Sequence, residues 1–138
     1  MSTGSPRQLH GWFAATRFRA EREVIGRDVH LLRLSGDLDF DSSETAIDVI
    51  RDGISPRARM VLLDLSGVTF CSSSGLRVLI VAARQAADRD VDLGLVGAGR
   101  PVLRPMEITG LDARFRSYPT IAAALAYRVP GSGDPTDS

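Results

Sequence analysis

Apolar and polar positions along this chain follow two alternating rhythms, one suited to strands and one to helices. The stretch that shows both runs from Val61 to Arg84, VLLDLSGVTFCSSSGLRVLIVAAR. Val61 to Leu65 is a near-continuous apolar run, the pattern of a parallel-sheet strand covered on both faces. Gly67 is a turn signal, and a second short apolar piece, Val68 to Cys71, leads into Ser72-Ser73-Ser74-Gly75. Beyond it Leu76, Leu79, Ile80, Ala83 and Ala87 fall at helical spacing. The three hydroxyls are therefore expected where the chain leaves the sheet and enters a helix.

The remaining pattern fills in around that unit. Phe18 to Val24 is a weak strand, Gly26-Arg27-Asp28 a turn, and Val29 to Leu34 a second strand, so the first two predict a hairpin. Ser35 to Asp41 reads as a loop dense in carboxylates. Asp41 with Glu44 makes a capping-box-like opening for a helix over about Ser42 to Gly53, whose apolar stripe is Ala46, Ile47, Ile50 and Ile54. Ser55-Pro56-Arg57 ends it. Asp88-Arg89-Asp90 is a charged turn and Asp92 to Val96 a further strand. Pro101 suits the first turn of another helix, Pro105 marks that helix as short, irregular or kinked, and Gly110 closes it. A last short strand around Phe115 to Tyr118 and a final helix from Ile121 to Tyr127 complete the order β-β-α-β-α-β-α-β-α. That order predicts one α/β domain over residues 17–128, with a mixed, mostly parallel sheet of four to five strands and about four helices. Residues 1–16, which include Trp12 and Phe13, read as a flexible arm, and residues 129–138 as a disordered tail.

Composition narrows the class without naming it. The 138 residues suit one domain, and 43% hydrophobic with 25% charged residues is ordinary for a globular chain with a sizeable core. Seventeen basic residues, all Arg, balance 17 acidic ones, so no net field favours nucleic acid or an anionic membrane. Cys71 is the single cysteine, which rules out an intrachain disulfide, fits a reducing compartment and reads as a small buried apolar residue. The N-terminus lacks the apolar core of a secretory signal, and the run Val78 to Ala83 is far short of a membrane span. A cytoplasmic protein follows as the expectation.

Catalytic constellations are missing from the pattern. His10 and His30 are far apart, and the one carboxylate cluster, Asp37, Asp39 and Asp41, has Ser42 where a calcium loop of this spacing needs glycine. A nucleophile elbow centred on Ser73 would have glycines at 71 and 75; position 71 is Cys, and both histidines precede the serine. Gly97-Ala98-Gly99 has Val102 where a dinucleotide loop would place its third glycine, and a chain without Lys has no ordinary phosphate-loop motif. No enzyme activity, cofactor or metal is expected. What remains is serine at a helix start, where unpaired N–H groups and the positive dipole end suit an anion. A serine there is either a helix cap or a place to carry a phosphate, and local chemistry favours the cap for one of Ser72, Ser73 and Ser74.

Four stretches together resemble one family, the STAS-domain anti-sigma factor antagonists. Gly36-Asp37-Leu38-Asp39 is similar to that family's G-E-L-D loop, and Leu62 to Phe70 to its V-L-D-L-S-x-V-x-F strand. Ser73-Ser74-Gly75-Leu76 matches its D-S-S-G-L signature from the second position, and Thr109 to Phe115 resembles its T-G-L-x-x-x-F element. The likeness spans about residues 17–128. It implies a STAS-like fold and a protein that binds an anti-sigma factor, often an ATP-dependent serine kinase, and so frees a sigma factor, with a phosphatase reversing the kinase. Carried over residue by residue, Ser73 is the implied phosphoacceptor, and Asp39, Ser72, Ser74, Gly75 and Leu76 the implied partner-binding residues. The family's Asp before the acceptor is Ser72 here. That departure leaves a rival, a phosphorylation-independent scaffold or nucleotide-sensing module of the same fold.

Overall fold

A computed structural model of the chain describes residues 18–126. Five strands, β1 (Arg19–Val24), β2 (Val29–Leu38), β3 (Met60–Cys71), β4 (Asp92–Val96) and β5 (Arg116–Tyr118), form one sheet in sequence order. β1 runs antiparallel to β2, pairing Val24 with His30 and Arg19 with Ser35, so the expected hairpin forms. The other three pairings are parallel. The crossovers are α1 (Phe40–Gly53), α2 (Ser73–Asp88) and α3 (Arg100–Thr109), and α3 is followed by a 3-10 turn at Leu111–Arg114. Residues 121–126 are helical, and we label them α4. The predicted α/β class, sheet and helix number all hold; the arm at 1–16 and the tail at 129–138 lie outside the described residues.

Alternation along the strands builds two cores. Leu32, Leu34, Leu63, Leu65 and Leu95 point to the face covered by α1, α2 and α3, where they join Ile47, Ile50, Leu79, Val102 and Met106. Val29, Leu31, Met60, Leu62 and Val96 point to the other face, closed by Ala124 of α4 with Tyr118, Ile121 and Leu125 against it. Because both faces are covered, β3 reads as the unbroken apolar run that stands out in the sequence.

Three expectations are corrected. Ser35 to Leu38 is not a loop, because β2 continues to Leu38, pairing with β3 through two irregularities between Arg33 and Asp37. Gly67 is not a turn: β3 runs through it, and a Cβ there would stand 2.7 Å from the Ser35 Cβ, so glycine permits a close strand approach at the bulge. The first helix opens earlier than the Asp41–Glu44 box implied, with Asp39 as N-cap and Ser42 as its partner. Leu38, fully buried at the strand end, forces the turn at the next residue. The helix α3 passes through Pro105 without ending, and Gly110 in left-handed conformation (φ 77°) stops it.

Candidate functional site

The carboxyl ends of β2 and β3 bring the predicted residues together. Leu38 lies opposite Cys71 in the register, and the Ser72 N–H donates to the Leu38 carbonyl at 3.0 Å. Asp39 and Ser72 therefore stand side by side, each in extended backbone, each the N-cap of the helix that follows.

The two caps differ in chemistry. Asp39 Oδ1 accepts from the Ser42 N–H at 3.2 Å, and the Ser42 hydroxyl accepts from the Asp39 N–H at 3.0 Å while donating to the Asp37 carbonyl at 2.7 Å. This reciprocal box leaves Ser42 buried and satisfied. At α2 the Ser72 hydroxyl accepts from the Gly75 N–H at 3.3 Å, and no acidic residue occupies the first turn. Capping is thus performed by Ser72. Ser73, the first helical residue, is exposed, and its hydroxyl has no hydrogen bond among the described residues.

Gly75 shows why this turn sits where it does. It is buried against the end of β2, and a Cβ would collide with the Leu38 carbonyl oxygen and stand 2.9 Å from Cys71 Sγ. Its role is space. Leu76, 8% exposed, anchors the same turn in the core. Gly75 and Leu76 therefore shape the surface more than they present side chains to it, whereas Ser73 faces solvent and Ser74 is half-exposed. Burial pushes the Cys71 thiol up to about 11, and its Sγ lies 3.6 Å from the Ser72 carbonyl. Such a thiol stays protonated and unreactive near neutral pH.

Asp37 stands in β2, where its Oδ1 accepts from the Thr69 hydroxyl at 3.1 Å, and Asp41 lies in the first turn of α1. Among the described residues no group of three or more His, Cys, Asp and Glu side chains is placed to hold a metal ion. His30 is half-buried in β2, far from this edge in the strand.

Sequence reasoning passed over several residues here. Phe40 and Phe70 are exposed, at 79% and 51%, beside Asp39 and just before Ser72. The apolar pattern hid their exposure, because Phe40 stands seven residues before Ile47 on the helical stripe and Phe70 falls within the apolar piece Val68 to Cys71. A shallow groove of about 300 Å³ also opens at Ser73, lined by Leu76, Arg77, Ile80, Thr109 and Leu111. Thr109 and Leu111 were visible only as part of the T-G-L resemblance; their approach to α2 is a tertiary fact.

Two helix N-termini thus share one edge of a five-stranded α/β sheet, beside a shallow surface groove. The STAS domain model matches residues 20–124, and the chain belongs to that family. Over 97 residues it is 30% identical to the anti-sigma-F factor antagonist RsfB of Mycobacterium tuberculosis, covering 70% of this chain and 79% of that one. The crystal structure of an anti-sigma factor antagonist from Mycobacterium paratuberculosis superposes with a TM-score of 0.71 at 27% identity, over 80% of this chain and 92% of that one. SpoIIAA, a Bacillus cell fate determinant solved in its phosphorylated form, shares the fold with a TM-score of 0.62 at 18% identity, over 79% of this chain and 98% of that one. Among the described residues no helix is long and apolar enough to cross a membrane.

Proposed function

We propose that this protein is an anti-sigma factor antagonist whose partner is an anti-sigma factor with ATP-dependent serine kinase activity, and that Ser73 is the switch. The observation that carries the reading is the division of labour at α2: Ser72 caps the helix, and the adjacent Ser73 hydroxyl is exposed and uncommitted. In the switching step the Ser73 Oγ–P bond forms as the bond from the γ-phosphorus of ATP to its bridging oxygen breaks. ADP leaves, and the hydroxyl proton passes to a base of the kinase. A phosphatase reverses the state by hydrolysis.

The unmodified protein docks through the edge built by Asp39, Ser72, Ser74 and the turn that Gly75 and Leu76 shape. Phe40 and Phe70 supply apolar anchors of the kind that concentrate binding energy when a partner covers them. A phosphoryl group adds a charge of about −1.5 to −2 and a shell of tightly held water. On the helix N-terminus the fold tolerates that charge. Inside an interface it must be desolvated and set against partner groups, so the complex is lost while the domain stays folded.

Ser72 in place of the family's Asp bears on the rate. A carboxylate there would help orient the acceptor and the metal of the kinase; a neutral hydroxyl does not. This residue favours the second reading, a scaffold of the same fold whose partner binding is independent of modification.

Intact-mass measurement after incubation with cognate serine kinases of the anti-sigma type, ATP and magnesium tests the proposal. One added phosphate, absent in Ser73→Ala, is the expected result, with Ser73→Asp losing partner affinity by about 100-fold or more. Retained binding with no phosphate, or equal affinity of Ser73→Asp and Ser73→Ala, establishes the scaffold reading instead.

A further inference from the structure

The reading of Ser73 as acceptor leaves open what receives the phosphate on the antagonist itself. Ser73 and Arg77 are four residues apart on α2 and share one wall of the groove. Side chains that far apart on a helix are neighbours, about 5–6 Å between Cβ atoms. Helical side chains also lean toward the N-terminus, so a long residue covers the turn before its own Cα. For Arg77 that is the turn bearing Ser73.

Arg77 is exposed and makes no hydrogen bond or ion pair among the described residues. It is the one charged residue among the six that line the groove. Across from it the Thr109 hydroxyl is already committed to the Pro105 and Met106 carbonyls, at 2.9 and 3.1 Å. The nearest acids in sequence to that wall, Glu107 and Asp112, are exposed and form no ion pair with Arg77. The groove end at Ser73 therefore combines a helix N-terminus whose first turn holds no acid with a free guanidinium, and none of the six lining residues is acidic.

We propose that Arg77 is the intramolecular receptor for a phosphate on Ser73, holding it in the groove between α2 and the Thr109–Leu111 segment. This rests on Ser73 being the acceptor. A guanidinium binds phosphate oxygens through a planar fork of paired N–H donors and adds a full positive charge to the partial charge of the helix terminus. The modified protein thereby neutralises part of its new charge, and Arg77 is withdrawn from any acidic group of the partner. One covalent event then both adds a repulsive anion and removes an attractive cation.

The test uses full-length protein made with phosphoserine encoded at position 73, so that no kinase is required. Phosphorus NMR follows the second ionisation of the phosphate against pH. The second ionisation is expected about 0.5–1 unit lower with Arg77 present than in Arg77→Gln. Arg77→Lys is expected to recover part of that difference, and about 1 M salt to shrink it. Unmodified Arg77→Gln should melt with the unmodified parent, which separates a phosphate contact from a structural role. Coincident titrations of the parent and Arg77→Gln phosphoproteins overturn the proposal. Failure of the acceptor reading looks different: kinases add no phosphate to Ser73, yet the encoded phosphoserine still titrates with the Arg77 shift.

Discussion

The two helix starts at the end of the sheet are built to the same plan and finished in opposite ways. Both follow a strand by one residue, and the strand ends are locked by the bond from the Ser72 N–H to the Leu38 carbonyl. At α1 the cap is a carboxylate, Asp41 adds another acid, and Ser42 closes the box from below. The positive end of that helix dipole is neutralised from within. At α2 the cap is a neutral hydroxyl, the first turn holds no acid, and the next serine is left over. The comparison teaches that two helix starts of one plan can differ in what they leave unsatisfied. The α1 terminus carries its own acids; the α2 terminus holds none in its first turn and leaves the Ser73 hydroxyl exposed.

The sharpest way to break this comparison is to move the α2 turn itself. Gly75→Ala drives a methyl group into the Leu38 carbonyl and Cys71, where the neighbours are backbone and core. Overpacking of this kind costs about 2–3 kcal/mol, a fall of roughly 5–10 °C in Tm on thermal unfolding. Partner affinity should fall with it, because Ser73 and Ser74 ride on the displaced turn. An unchanged Tm would show that the two helix starts are not held against each other.

Next come the caps. Asp39→Ala removes the carboxylate half of a reciprocal box and should cost about 1–2 kcal/mol in a denaturant melt; Ser72→Ala, losing a single 3.3 Å bond, should cost less than about 1 kcal/mol. Equal losses would mean that the two termini are equivalent after all. Ser72→Asp sharpens the contrast from the other side. An acid at the α2 cap should stabilise the unmodified protein by about 0.3–1 kcal/mol, and supplies the carboxylate that the family places before its acceptor. Faster phosphorylation of that variant is the expected readout.

The last contrast concerns the thiol beneath the turn and is confined to alkaline pH. Burial raises Cys71 to about 11 from an ordinary 9.0, so between those values the native state keeps a proton that the unfolded chain gives up. Stability then falls as pH rises through that window and is fully present below it. Urea midpoints across the window should fall more steeply for the parent than for Cys71→Ala.

Much of this was legible along the chain. The apolar run at Val61–Leu65, the helical spacing from Leu76, the strand at Asp92–Val96 and the stop at Gly110 are local consequences of burial and backbone chemistry, and each appears where its pattern lies. The serine run announced a cap, and the family resemblance alone pointed to an acceptor; only the fold assigns the cap to Ser72. Gly67 was misread because a glycine that permits two strands to approach looks, in one dimension, like a glycine that turns. Asp39 was hidden as a cap for a related reason: β2 ends where Leu38 enters the core, a fact of packing and not of propensity.

Sequence alone determined the elements, their order and the family signatures, because those depend on periodicities of two and about 3.6 residues and on backbone freedom at single positions. The tertiary structure decided which elements touch. The pairing of Leu38 with Cys71, the clash with Leu38 that reserves position 75 for glycine, and the meeting of α2 with Thr109 and Leu111 join residues far apart in the sequence. Contacts of that span arise only when the sheet orders its strands and the helices cover it, so no local pattern encodes them.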